Sequence, residues 1–107
     1  MLNMSWETLV VGNFRFKKGD RELKKKIIDE IETAIECKVK YDRKWHEYVF
    51  QDVNWSSHVK GENIKKVVEK YQNWFVYFNA SVFYLGESDE SIVFDGGELN
   101  ADVMEML

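Results

Sequence analysis

The hydrophobic and polar positions of this chain change their period repeatedly, and the changes predict alternating strands and helices. From residue 6 to 17, β-branched and aromatic residues alternate, which predicts a first strand. Its apolar side chains occupy both faces, since Leu9 and Val11 lie opposite the row that contains Phe14. From residue 21 to 36 the apolar positions recur at spacings of three and four, which is typical of an amphipathic helix.

The remainder of the chain repeats this alternation. Residues 37–53 alternate around a short polar turn and predict a hairpin of two strands, and residues 60–72 show a second helical period. Residues 74–85 carry apolar side chains at positions of both parities, which predicts a strand that needs a cover on each face. A short last strand is expected at 91–94, followed by an acidic C-terminal tail at 98–107 that has the composition for a last helical turn.

The element order is therefore β-α-β-β-α-β with an extra C-terminal β. Right-handed crossovers would place both helices on one face of an antiparallel sheet. The chain is thus predicted to be α+β, and its element order resembles the ferredoxin-like split βαβ plait over about residues 6–95. The resemblance rests on element order and transfers no functional residue. At 107 residues a single domain is expected.

Charge is distributed unevenly along the chain. The net charge is −4, yet residues 87–107 hold seven acidic residues and no basic one, whereas residues 15–26 hold seven basic residues. No apolar stretch reaches the length of a membrane span and the N-terminus lacks a secretory pattern. Cys37 is the only cysteine, as expected in a reducing compartment. We therefore predict a cytoplasmic protein that does not bind membranes.

Catalytic and metal-binding patterns are weak. Residues 52–59 gather an acid, two serines and a histidine, but neighbouring residues of one extended segment rarely point at one another. His46 and His58 are separated by no spacing typical of metal ligands. The sequence therefore predicts no catalytic residue, no metal and no cofactor, and we expect a protein that is not an enzyme.

The predicted sheet has more apolar surface than its two helices can cover, and the functional hypothesis rests on this excess. Two helices can cover only one face of a sheet, while 15% of the residues are aromatic. We expect a small binding or regulatory domain that uses an aromatic-rich sheet face for self-association or for binding a partner protein. The side chains predicted to form that face are Phe14, Phe16, Tyr48, Phe50, Phe75, Tyr77 and Phe83.

Two alternatives remain open from the sequence. The first is a small-molecule binder or an enzyme with a pocket near residues 52–58, lined by Asp52, Trp55, Ser57 and His58. The second is RNA or single-stranded DNA binding on the sheet face, where aromatic side chains can stack on bases. The pI of about 5.2 and the lack of an RNP-like run argue against nucleic acid as the partner.

Overall fold

The computed structural model describes residues 7–55, 59–84 and 90–95, with the backbone alone at Glu7, residues 53–55, Tyr84 and residues 90–95. The part of the chain that is described forms an antiparallel sheet with two helices, so the predicted α+β class is confirmed. The elements are β1 (Glu7–Phe16), α1 (Arg21–Ile35), β2 (Lys40–Asp42), β3 (Glu47–Trp55), α2 (Val59–Tyr71), a 3-10 turn (Gln72–Trp74), β4 (Phe75–Tyr84) and β5 (Glu90–Asp95). The strands lie in the order β2-β3-β1-β4-β5, and each pair of neighbours is antiparallel.

The two faces of the sheet follow from the strand register, because directly paired residues point to the same side. On β1 and β4, Val10 pairs with Val82 and Phe14 pairs with Phe78. All four side chains are fully buried, and they form one cluster with the buried side chains of both helices. The core therefore lies between the helices and one face of the sheet.

Helix α1 has a capping interaction at each end. The Asp20 carboxylate accepts hydrogen bonds from the backbone N–H groups of Glu22 and Leu23, as an N-cap does. At the other end Glu36 takes a left-handed conformation with φ of 53° and donates its N–H to the carbonyl of Glu32. The inward face consists of the buried side chains Ile27, Ile31, Ala34 and Ile35.

Helix α2 packs beside α1 and buries Ile64, Val68 and Tyr71 in the same core. Its positions match the predicted second helix, which is confirmed with a start one residue earlier. No helix in the ranges that the structure describes is long and apolar enough to cross a membrane. The predicted tail at 98–107 lies outside the described residues.

Candidate functional site

The seven aromatic residues predicted to form an exposed face do not share one. Phe14, Phe16, Phe50 and Phe75 lie in the core beneath the helices, and Tyr48 packs against that core. The prediction that these five belong to an open face is wrong. The reason is strand register: Phe14 pairs with Tyr48 on one side and Phe78 on the other, so the aromatic row of β1 faces the helices.

The buried rings form a packed aromatic core. The ring of Phe14 lies 5.3 Å from those of Tyr48 and Phe78 in stacked arrangements, and 5.5 Å from that of Phe75 in an edge-to-face arrangement. Pairs of this geometry add to stability beyond the area that they bury. These side chains hold the sheet and helices together and present no surface to a ligand.

The side of the sheet away from the helices, here called the open face, is more polar than predicted. Its β4 row contains Tyr77 and Phe83, but Asn79 and Ser81 stand between them. The prediction that β4 is apolar on both faces is therefore wrong at its centre. The side chains described on the open face are Leu9, Val11, Asn13, Arg15, Lys40, Asp42, Glu47, Val49, Gln51, Tyr77, Asn79, Ser81 and Phe83.

A continuous part of the open face carries no charge. This neutral patch spans the three central strands and combines four apolar with four uncharged polar side chains. All of them except Gln51 and Asn79 are half-buried. Its members are Leu9, Val11, Asn13, Val49, Gln51, Asn79, Ser81 and Phe83.

A polar network borders the neutral patch at the end of the sheet where β1 ends. The Glu47 carboxylate accepts a hydrogen bond from the Asn13 amide at 3.0 Å and another from the Tyr77 hydroxyl. The Arg15 guanidinium lies 5.7 Å from the centre of the Tyr77 ring. Burial, followed by the hydrogen bond to Glu47, raises the pKa of Tyr77 to about 12.

The hairpin between β2 and β3 projects beyond this network and is held in a fixed conformation. Arg15 donates from Nε to the His46 carbonyl at 3.0 Å and from Nη2 to the Trp45 carbonyl at 2.5 Å. The Asp42 carboxylate accepts from the N–H of Lys44 at 2.9 Å. Trp45 keeps 59% of its surface exposed and Tyr41 keeps 50%. Arg15 therefore attaches the hairpin to the end of β1, and the hairpin carries two exposed aromatic rings.

The alternative pocket is described only in part. Asp52 lies on the helix side of β3, where its carboxylate accepts a hydrogen bond from the Lys60 ammonium group. The two side chains keep 10% and 5% of their surface exposed, so the ion pair is buried. Ser57, His58 and the side chain of Trp55 lie outside the described residues. Asp52 thus has a structural partner that the sequence analysis missed. The basic residue Lys60, eight positions further along the chain, could have indicated this ion pair.

A groove of about 440 Å³ lies between the helices. Ala34 and Val67 line it together with charged side chains of both helices. Beside it, the Glu30 carboxylate accepts hydrogen bonds from the Tyr71 hydroxyl and, at 3.2 Å, from Lys70. The hydrogen bond from Tyr71 in particular lowers the pKa of Glu30. No group of three metal-ligating side chains occurs among the residues that are described.

No protein-family model, no curated protein and no solved structure matches this chain.

Proposed function

We propose that this chain is a non-enzymatic binding or regulatory domain that self-associates through the open face of its sheet. The neutral patch carries the proposal. The charged side chains of the open face, Arg15, Lys40, Asp42 and Glu47, lie on the edge strand β2 or at the end of the sheet where β1 ends, whereas the centre of the face is uncharged. The centres of protein interfaces are depleted of charge in the same way, whereas a surface selected for contact with water alone carries charge.

The helix layer of the same molecule provides the contrast. Its outward positions carry Lys25, Lys26, Asp29, Lys66 and Glu69, all of them exposed. The charge that keeps the protein hydrated is therefore concentrated on the helix side. Half-buried apolar side chains such as Leu9 and Phe83 are left on the other side.

A second copy of the chain is the occupant that the patch fits best. Asn and Gln side chains each carry both hydrogen-bond donors and acceptors, and Ser does too. Across a two-fold axis such groups can pair with the same groups of the other copy, and no like charges are brought together. With strands about 4.8 Å apart and residues about 3.3 Å apart along them, the five strands span about 600 Å² of sheet, which approaches the roughly 800 Å² that each partner contributes to a standard interface.

The test is the molar mass of the chain in solution, measured by size-exclusion chromatography with light scattering over a concentration series. We expect the wild type to form a dimer and Val11→Lys, at the centre of the patch, to be monomeric. Gln72→Lys adds the same charge at an exposed position of the 3-10 turn and should leave the dimer intact. A wild type that stays monomeric throughout, or a Val11→Lys variant that dimerises as well as the wild type, would overturn the proposal.

We also propose that the fold is the ferredoxin-like split βαβ plait. Three observations support this assignment: β1 lies between β3 and β4, β2 lies beyond β3, and each helix connects two strands that are not neighbours. The fifth strand then extends the sheet next to β4. Backbone proton contacts by nuclear magnetic resonance should connect Gly12 to both Phe50 and Ala80, whereas contacts between β1 and β2 would refute the plait.

A further inference from the structure

Basic side chains from distant parts of the sequence meet at one end of the molecule. Arg15, at the end of β1, donates to two carbonyl groups of the β2–β3 hairpin. Two residues later, the N–H of Lys17 donates to the Trp74 carbonyl at 2.9 Å, and α1 then begins at Arg21. The hairpin tip, the end of β1 and the start of α1 therefore lie at the same end of the sheet, and residues 15–25 and 42–47 are here called the basic end.

This end is strongly positive although the chain is acidic overall. It contains eight basic residues and four acidic ones, against a net charge of −4 for the chain. Three of the four acids are bound within the fold: Asp20 caps α1, Asp42 accepts backbone N–H groups of the hairpin, and Glu47 binds Asn13 and Tyr77. Five of the basic side chains are exposed: Lys18, Arg21, Lys25, Arg43 and Lys44.

Exposed rings stand in the middle of these charges. Trp45, at the hairpin tip, keeps 59% of its surface exposed, and the ammonium group of Lys44 lies 5.4 Å from its ring centre. His46 follows it, exposed and with φ of 54°, a left-handed conformation that an L-residue adopts at a cost. Because Arg15 holds the carbonyls of both residues, the rings are presented before any ligand arrives.

We infer that the basic end binds single-stranded nucleic acid, with a base stacked on Trp45 and phosphates held by Lys18, Arg43 and Lys44. A single strand offers the two features that this surface matches, planar base faces and a regularly spaced chain of phosphates. A duplex hides its base faces. An acidic protein segment offers carboxylates but no planar faces for the rings, and a membrane surface would require more apolar side chains than Trp45 provides among its charged neighbours.

The acidic pI does not oppose this inference. Charges are screened beyond about 8–10 Å at physiological ionic strength, so the local surface decides the attraction and not the sum over the chain. The site differs from the nucleic-acid surface considered from the sequence, whose aromatic side chains are mostly in the core. It also differs from the neutral patch, so one molecule can use both surfaces.

Fluorescence anisotropy with a short labelled oligothymidylate tests the inference on the full chain. We expect the wild type to bind at low salt and to weaken as salt is added. Trp45→Ala should lower the affinity about 5- to 150-fold, the range measured for loss of one base stack, while Trp45→Phe should restore most of it. The double variant Arg43→Ala/Lys44→Ala should also weaken binding, and its salt slope should fall by about 0.7 for each phosphate that is no longer neutralised.

A charge-matched control is available elsewhere on the surface. Lys38→Ala/Lys66→Ala removes the same charge from two exposed positions outside the basic end and should bind as the wild type does. Absence of wild-type binding at low salt, or an affinity that Trp45→Ala leaves unchanged, would overturn the inference. Equal or tighter binding of a polyglutamate peptide, a duplex or phosphatidylserine vesicles would overturn it in favour of that partner. Light scattering on the same variants shows whether dimerisation is retained, which separates this result from the proposed self-association.

Discussion

Gly12 occupies a position on β1 where no side chain fits. A Cβ at this residue would lie 2.4 Å from the backbone oxygen of Asn79 and 2.6 Å from the Phe50 ring. Since the first of these atoms is backbone, it cannot move without disturbing β4. We therefore expect Gly12→Ala to lower the free energy of unfolding by about 1–3 kcal/mol, the usual range for overpacking. Chemical denaturation measures this, with Gln72→Ala at an exposed position outside the neutral patch as a control expected to change stability little.

Tyr77 is expected to make stability depend on pH in the alkaline range. Its pKa in the folded chain is raised to about 12, against an unfolded value of 10.0. A group whose pKa is raised by folding contributes its full stabilisation below the unfolded pKa and loses it as the pH rises through the folded pKa. The free energy of unfolding should therefore fall between about pH 10 and pH 12 more steeply in the wild type than in Tyr77→Phe. Equal slopes for the two proteins would contradict the hydrogen-bonded, half-buried placement of the phenol.

The sequence predicted which side chains share a face more reliably than it predicted which face is covered. Alternation placed Phe14 and Phe16 on one side of β1 and Leu9 and Val11 on the other, and the register confirms this division. Both sides of β1 are apolar enough to face a core. The alternation of residues along the strand therefore could not show which side the helices cover. The prediction of an aromatic binding face was wrong for that reason. It combined side chains such as Phe14 with Tyr77, which point in opposite directions.

The ion pair between Asp52 and Lys60 connects β3 to the start of α2. Both side chains are buried, so replacing one partner leaves an uncompensated charge. We expect Lys60→Met to lower the free energy of unfolding by about 3–5 kcal/mol, and Asp52→Leu/Lys60→Met to recover much of this loss, because well-packed apolar pairs can replace buried ion pairs. Thermal and chemical denaturation measure both. If the double variant were as unstable as the single one, packing and not charge would explain the loss.

The C-terminal end of α1 can be improved by one substitution. Glu36 takes the left-handed conformation that glycine usually supplies at this position of a helix. Glu36→Gly should therefore raise the melting temperature and stabilise the chain by up to about 1 kcal/mol. Glu36→Ala, which keeps the Cβ, serves as the matched control and should give no gain. A gain of the same size in both would show that the carboxylate, and not the backbone conformation, is unfavourable there.

Element positions were predicted well where a periodic segment is long, and poorly where hydrogen bonds that involve side chains take the place of strand pairing. The structure places α1 within one residue of its predicted bounds, but β2 begins at Lys40 and not at Cys37. The Cys37 thiol lies 2.8 Å from the Gln51 carbonyl and donates to it, and the Glu32 carboxylate accepts from the N–H of Val39 at 2.9 Å. These interactions replace strand pairing, and alternation of residue types cannot reveal them.

The described elements share one core, so we expect the chain to unfold as one unit. Phe78 is fully buried at the centre of that core and touches the rings of Phe14, Phe50 and Phe75. Phe78→Ala should cost about 3–5 kcal/mol. Circular dichroism and tryptophan fluorescence should give superimposable unfolding curves, displaced equally by the substitution. Displacement of only one of the two signals would mean that helices and sheet unfold separately.

The central position of β1 affects how the protein can be made. The ribosome completes this strand before its two neighbours, which begin at residues 47 and 75. A growing chain therefore carries an apolar strand with both edges unpaired until β3 has been synthesised, and pairings so distant in sequence form slowly. The sheet can close only after synthesis has passed β4, and until then the nascent polypeptide exposes the apolar surface and unpaired strand edges that make incomplete chains prone to aggregation.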